Sequence, residues 1–358
     1  MGTRPVPAEE VSVRDAMGKK SSEINFGVGL LGAPAAMLYG GVVVGRRWLY
    51  DKRLLRAFKA PVPVVSVGGI EVGGSGKTPV TRWILEALIK GGRRPGLLTR
   101  GYGRTSSGLV VRGEGEAANP EVLGDEPAML VEGGLDVPVG VCARRSEAAR
   151  GLLERHCSDV LVLDDGFAHR ALGRDLDIVV LRGERPFGSG HLLPWGSLRE
   201  PLSSLERADV LWFHYKGVGK GDGAEEVSRR FPRKMVVVSR GAPSPARDLG
   251  GAARPLKGKR VLVATGIAHP AAFVEAVERL GAKVVGEWFY GDHHRFSDRD
   301  REDLLGAKVQ MGAEEVVVTP KDAIKLKGLW PDSSLVVVGV EVSIERGQRE
   351  LEQRLSQL

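Results

Sequence analysis

Short apolar runs and stretches of helical periodicity alternate along most of the chain, and their order predicts its architecture. After Pro61 the run VPVVSVGG (62–69) is rich in β-branched residues and reads as a buried strand. It leads through a glycine-rich stretch into VTRWILEALIKGG (80–92), where apolar positions recur at helical spacing. Val160 to Leu163 reads as a second buried strand, ending in Asp164-Asp165-Gly166, and ADVLWFH (208–214) as a third. From Lys259 the pattern becomes strand RVLVAT, helix PAAFVEAVERLG, strand KVVGEWF, helix DREDLLGAKVQ, then strands EEVVVT and SSLVVVG. This alternation predicts an α/β fold, a mostly parallel sheet flanked by helices, with a smaller C-terminal α/β domain.

The expected divisions are an extension over 1–23, an N-terminal helical segment over 24–60 and a core domain over 61–232. A linker over 233–258 and a C-terminal domain over 259–358 follow, and GVGKGDGA (217–224) reads as a flexible stretch. A length of 358 residues suits two domains.

Phe26 to Gly45 holds no charge over 20 positions, the length of a spanning helix, but six of its residues are glycine and one is Pro34. The segment therefore reads either as a span or as a helix lying in the membrane interface. The next stretch, Arg46 to Lys59, sets Tyr50, Leu54 and Phe58 at helical spacing among Arg46, Arg47, Lys52, Arg53, Arg56 and Lys59. That is the pattern of a basic amphipathic membrane helix; a helix packed on the protein's own core with a solvated basic face is the alternative. Lys19 and Lys20 ahead of the apolar run also admit a signal peptide, which the chemistry read further along the chain argues against.

Between the first strand and its helix lie Gly73, Gly74, Ser75, Gly76, Lys77 and Thr78. Glycines let backbone N–H groups approach phosphate oxygens, the lysine reaches the β and γ phosphates, and the threonine hydroxyl holds Mg²⁺, as in a P-loop NTPase. The strict pattern has glycine at position 71, where this chain has Glu71, so the loop is a variant; a purely structural glycine turn is the alternative. Asp164 and Asp165, delivered by a buried strand, read as Walker B-like acids able to complete Mg²⁺ coordination, against an Asp-Asp-Gly turn. Gly124-Asp125-Glu126-Pro127 opens a helix, where acids also suit the helix dipole.

With 42% hydrophobic and 27% charged residues the composition is that of an ordinary folded protein. Cys142 and Cys157 have neither CxxC spacing nor a neighbouring His/Cys cluster, so no zinc site or disulfide framework is expected, and Asp292-His293-His294 lacks a spaced third ligand. The net charge of +7 favours an anionic partner without choosing among nucleic acid, phosphorylated substrate and acidic lipid. No basic and aromatic recognition motif accompanies it, so nucleic acid is not expected. A membrane-bound nucleotide switch would share the loop and the aspartates; an NKxD-type base-reading motif is not found.

Several spaced motifs together resemble the tetraacyldisaccharide 4′-kinase family of lipid A synthesis: VGGIEVGGSGKTP (67–79), TRGYGR (99–104), GDEPAML (124–130), DDGFAHRALGRDLDIVV (164–180), HLLPWGSLREPL (191–202), GDHHRF (291–296) and TPKDAIKL (319–326). The resemblance implies transfer of the ATP γ-phosphoryl group to the 4′-hydroxyl of a tetraacyl disaccharide 1-phosphate, with ATP and Mg²⁺ as cofactors. It also implies work at the cytoplasmic face of the inner membrane; no protein partner is inferred. Carried over residue by residue, it makes Lys77 and Thr78 the phosphate and magnesium contacts and Asp164 and Asp165 the Walker B acids. Asp125 becomes the catalytic base with His293 as its support; His169, Arg199 and Glu200, and with them Tyr102, Glu126 and Arg145, lie near the disaccharide. If Asp125 and His293 are to meet, the two domains must close on the substrate. The family usually has asparagine at Gly69, threonine at Ser75, glutamine at Ala168 and glutamate at Pro320, none of which removes a catalytic side chain.

Overall fold

The structure is a computed structural model describing residues 29–216, 223–267, 270–291, 294–330 and 335–358. The N-terminal extension 1–23 and most of the glycine-rich stretch 217–224 lie outside these residues. Helix α1, Gly29–Asp51, comes first. The helix expected to continue through Phe58 stops at Asp51: Arg53 takes a left-handed backbone, φ 58°, and the Phe58 amide donates to the Ala171 carbonyl. Tertiary packing overrides periodicity here, since Phe58 bridges to Leu172 and Arg150 lies 4.4 Å from its ring centre. One face of α1 rests on the protein, with Ala36 buried and the Tyr39 hydroxyl donating to the Arg199 carbonyl at 3.0 Å. Met37, Leu38, Val42, Val44 and Trp48 are exposed.

The elements that build the main body are β1 (Val64–Gly68), α2 (Lys77–Lys90), β2 (Pro95–Thr99), β3 (Val110–Arg112), α3 (Pro120–Leu123), α4 (Asp125–Glu132), β4 (Val139–Val141) and α5 (Arg145–Arg155). They continue with β5 (Val160–Asp164), β6 (Leu176–Arg182), β7 (Val210–Tyr215), α6 (Gly223–Arg230) and β8 (Met235–Pro243). Strands β8-β7-β6-β1-β5-β2-β4 run parallel in that spatial order, and β3 closes one edge antiparallel to β4. All residues of β1, β2, β5 and β7 are buried, because apolar clusters cover both faces of the sheet. That is why they read as unbroken apolar runs rather than alternating ones.

A second sheet is formed by β9 (Arg247–Asp248), β10 (Arg260–Thr265), β11 (Lys283–Phe289), β12 (Glu315–Val318) and β13 (Leu335–Val337), in the order β11-β10-β12-β13-β9. Its helices are α7 (Pro270–Arg279), α8 (Asp298–Gln310) and α9 (Pro320–Leu326). The chain then returns to the first sheet through β14 (Val340–Arg346), antiparallel to β8, and α10 (Gln348–Ser356). The expected boundaries change accordingly. Met235–Pro243, inside the expected linker, is a strand of the large sheet, and residues 340–358 pack with that sheet rather than with the C-terminal unit. The physical reason is coverage: β14 pairs what would be an open edge, and Leu351 and Leu355 complete the apolar cluster that includes Ile84, Leu85 and Leu88 of α2.

Candidate active site

The 73–78 loop and Asp164–Asp165 lie at the carboxyl ends of β1 and β5, the usual position of a site in a parallel sheet. Helix α2 begins at Lys77, three residues before the apolar periodicity, so Lys77, Thr78 and Pro79 form its first turn and proline costs no hydrogen bond there. The preceding loop depends on glycine. Gly73 and Gly76 have φ of 104° and 87°, and a Cβ on Gly76 would lie 2.3 Å from the His214 ring. A Cβ on Gly74 would lie 2.9 Å from the Lys216 Nζ, which places a second ammonium beside the loop. The Ser75 hydroxyl is buried with no hydrogen-bond partner among the described residues.

Glu71, the departure from the strict loop pattern, is a clamp. Its buried carboxylate accepts two hydrogen bonds from Arg182 at the end of β6 and one from the Ser197 hydroxyl at 2.7 Å. The Val72 amide also donates to the Ser197 carbonyl at 2.8 Å, which fastens the loop to the segment carrying Arg199 and Glu200.

Asp164 ends β5 opposite Val67 of β1, and the Thr81 hydroxyl of α2 donates to its Oδ1 at 2.9 Å. Burial, then the charge of Glu126, push its carboxyl up to about 7 despite the Thr81 hydrogen bond and nearby Lys77. A buried carboxylate crowded by other acids beside a threonine hydroxyl is an oxygen donor set that fits a hard cation such as Mg²⁺. Asp165 differs. Its backbone is left-handed, φ 47°, and its carboxylate takes both Arg199 Nη atoms at 2.7 Å with Lys77 Nζ at 3.7 Å. Burial would raise Asp165, but the Arg199 hydrogen bonds and Lys77 hold it below the ordinary carboxylate value.

Asp125 is the first residue of α4, after Gly124 at φ 97°. A Cβ on Gly124 would meet the Tyr102 carbonyl at 2.8 Å, so the 99–104 and 124–126 motifs touch; the Tyr102 side chain is itself exposed. Arg145 is buried at the start of α5, lowered by burial and by Arg100, and Asp164 and Asp165 act on it in the opposite direction. His169 is pushed down to about 4, by burial first and then by Arg145, so its ring is neutral near pH 7, and its Nε2 is buried with no hydrogen-bond partner among the described residues. Glu200 is held by Arg207 at 2.6 Å, and Arg207 stacks over Phe167.

His293 lies outside the described residues. Its neighbour His294 stacks on Tyr290 with ring centres 4.5 Å apart and meets Asp300 at 3.2 Å. The Lys325 ammonium of α9 lies 3.2 Å from the His294 carbonyl and 3.8 Å from the Asp125 carboxylate, so α9 links the two sheets at this site. Thr81, Lys216 and Lys325 were not legible as site residues. Only the helical position of Thr81, one turn after Lys77, signalled that it faces the sheet.

The family model described as Tetraacyldisaccharide-1-P 4'-kinase matches residues 28–358. A tetraacyldisaccharide 4'-kinase of Anaeromyxobacter sp. (strain Fw109-5) is 41% identical over 341 residues, covering 89% of this chain and 88% of that protein. One from Chlorobium luteolum is 37% identical over 308 residues, covering 82% of this chain and 86% of that protein. The crystal structure of LpxK from Aquifex aeolicus in complex with ATP superposes with a TM-score of 0.75 at 30% identity, covering 91% of this chain and 97% of that one.

Proposed function

The chain belongs to the tetraacyldisaccharide-1-P 4'-kinase family, and on that premise we propose how its own residues serve the family's reaction. The reaction moves the γ-phosphoryl group of ATP to the 4′-hydroxyl of tetraacyldisaccharide 1-phosphate, giving the bisphosphorylated lipid A precursor and ADP. In the proposed site, Gly73 to Thr78 are a phosphate loop at the N-terminus of α2, where backbone N–H groups and the helix dipole favour anions. Lys77 contacts the β and γ phosphates. Thr78 and Asp164 hold Mg²⁺, which when bound neutralises phosphate-oxygen charge. Asp165, already paired with Arg199 and Lys77, keeps the lysine aimed at the loop.

Asp125 takes the proton of the attacking 4′-hydroxyl, and His293 supports its carboxylate. Catalysis is then mainly positioning and charge neutralisation, as phosphoryl transfer requires. Glu126, Arg145 and neutral His169 line the acceptor side, with Tyr102, Arg199 and Glu200 at its margin. The observation that carries this reading is the placement of Asp164, tied to α2 by Thr81, beside the glycine loop of the neighbouring strand.

The enzyme works, in this proposal, at the cytoplasmic face of the inner membrane. No helix among the described residues is long and apolar enough to cross a membrane. The exposed apolar side chains of α1 support a helix that lies on the bilayer. A cleft of about 160 Å³ between α1 and the 168–170 and 199–207 segments sets Val42 and Val43 beside Arg46, Arg47, Arg170, Arg199 and Arg207. Such a lining suits the boundary between acyl chain and anionic headgroup.

The test is label transfer from γ-labelled ATP to tetraacyl disaccharide 1-phosphate in detergent micelles, with acceptor omitted in one arm and Asp125→Ala in another. Labelled lipid that needs the acceptor and is lost in the variant is expected. Labelled lipid formed equally by a folded Asp125→Ala protein would remove Asp125 from the chemistry.

A further inference from the structure

The TPKDAIKL segment enters the resemblance as a motif without a role, and the structure gives it a place. Asp322, fully buried, accepts from the Thr319 hydroxyl at 2.6 Å, the Thr265 hydroxyl at 2.7 Å and the Gly266 amide at 3.2 Å. These bonds pin the start of α9 to the end of β10. A Cβ on Gly266 would meet the Gly291 carbonyl at 3.1 Å and His294 Cβ at 3.3 Å, so the pinned corner also packs against both described flanks of the 292–293 segment. One turn later on α9, Lys325 projects across to the other sheet. Its side chain is 15% exposed, and its Nζ sits between the His294 carbonyl at 3.2 Å and Asp125 Oδ2 at 3.8 Å.

We propose that Lys325 is a positioning residue for the phosphoryl transfer, holding the Asp125 carboxylate of the large sheet and the His294 carbonyl at one point. This rests on the reading of Asp125 as the base. A lysine suits this role because its compact ammonium carries three donors on a flexible stem and can serve two acceptors on different elements. Without it, each acceptor keeps its own element, but the link that the ammonium makes between the Asp125 carboxylate and the His294 carbonyl is lost. Misplacement by about 1 Å is enough to slow a step that depends on alignment by roughly 100-fold.

The experiment compares wild type, Lys325→Met, Lys325→Arg, Asp125→Asn and the double variant Lys325→Met/Asp125→Asn, by steady-state transfer to the lipid acceptor and by thermal melting. Lys325→Met is expected to lower kcat by roughly 10- to 100-fold while KM for ATP changes less than about twofold. Lys325→Arg is expected to recover much of the loss, and the Lys325→Met effect is expected to vanish in the Asp125→Asn background. An equal loss in that background, or a fall in melting temperature with kcat intact, would overturn the proposal and leave Asp125 as the base. Wild-type kcat in Asp125→Asn alone would instead overturn the base reading, and this inference with it.

Discussion

At Gly76 the backbone passes against the His214 ring, with φ 87° and no room for a methyl group. Gly76→Ala is therefore expected to weaken ATP binding severely, read by titration with a fluorescent ATP analogue, because the loop must move off the ring to fit a side chain. The same histidine predicts a pH dependence. Burial, then Lys216, push His214 from its ordinary 6.5 down to about 4, so folding favours the neutral ring. Its contribution is intact above pH 6.5 and is lost as pH falls through 4, about 3 kcal/mol by order of magnitude. Urea unfolding between pH 4 and 6.5 is expected to show a shallower slope in His214→Gln. Glycines, Lys77, Thr78 and the aspartate pair were legible because their chemistry sits in consecutive residues. Glu71 was legible only as a departure; its clamp on Arg182 and Ser197 joins residues 111 and 126 positions away, which no local pattern records.

Some strands were legible nearly to the residue, but buried β2, β4 and β6 were not read as strands. The expected RVLVAT and KVVGEWF runs are β10 and β11, the second half-buried or exposed along its length, whereas β14 was not seen. Its residues are half-buried or exposed throughout, since it pairs at an edge and takes its place from β8 rather than from an apolar pattern of its own. MVVVS within β8 was passed over because it follows a glycine-rich break and reads as linker. α10 shows what this return contributes. Leu351 is fully buried in the cluster beside α2, so Leu351→Ala is expected to cost about 2–5 kcal/mol in chemical denaturation, loosening the helix that carries Lys77. The N-terminal helix was legible in existence but not in length, because Phe58 is held by Leu172 and Ala171 rather than by helical neighbours.

As a whole, the molecule places the 73–78 glycine loop on one sheet and His294 on another, joined at α4 and α9. The exposed apolar surface of α1 lies on the same body as the Arg199 segment through Tyr39, so in the proposed function docking on a bilayer would be mechanically connected to orienting the acceptor. Leu38→Asp with Trp48→Asp is expected to cut cosedimentation with anionic lipid vesicles several-fold while leaving melting temperature nearly unchanged, because both side chains are more than half exposed. The charge of +7 made an anionic partner legible without choosing its kind, and only the structure separates the face of α1 that packs from the face left open. In the proposed mechanism Asp125 acts in the transfer step itself rather than in holding nucleotide, and single-turnover transfer of γ-phosphate to the lipid acceptor separates the two roles. With enzyme in excess and ATP saturating, Asp125→Asn is predicted to lose roughly 10²- to 10⁴-fold in the transfer rate with its affinity for ATP unchanged. A wild-type single-turnover rate in that variant would contradict the account.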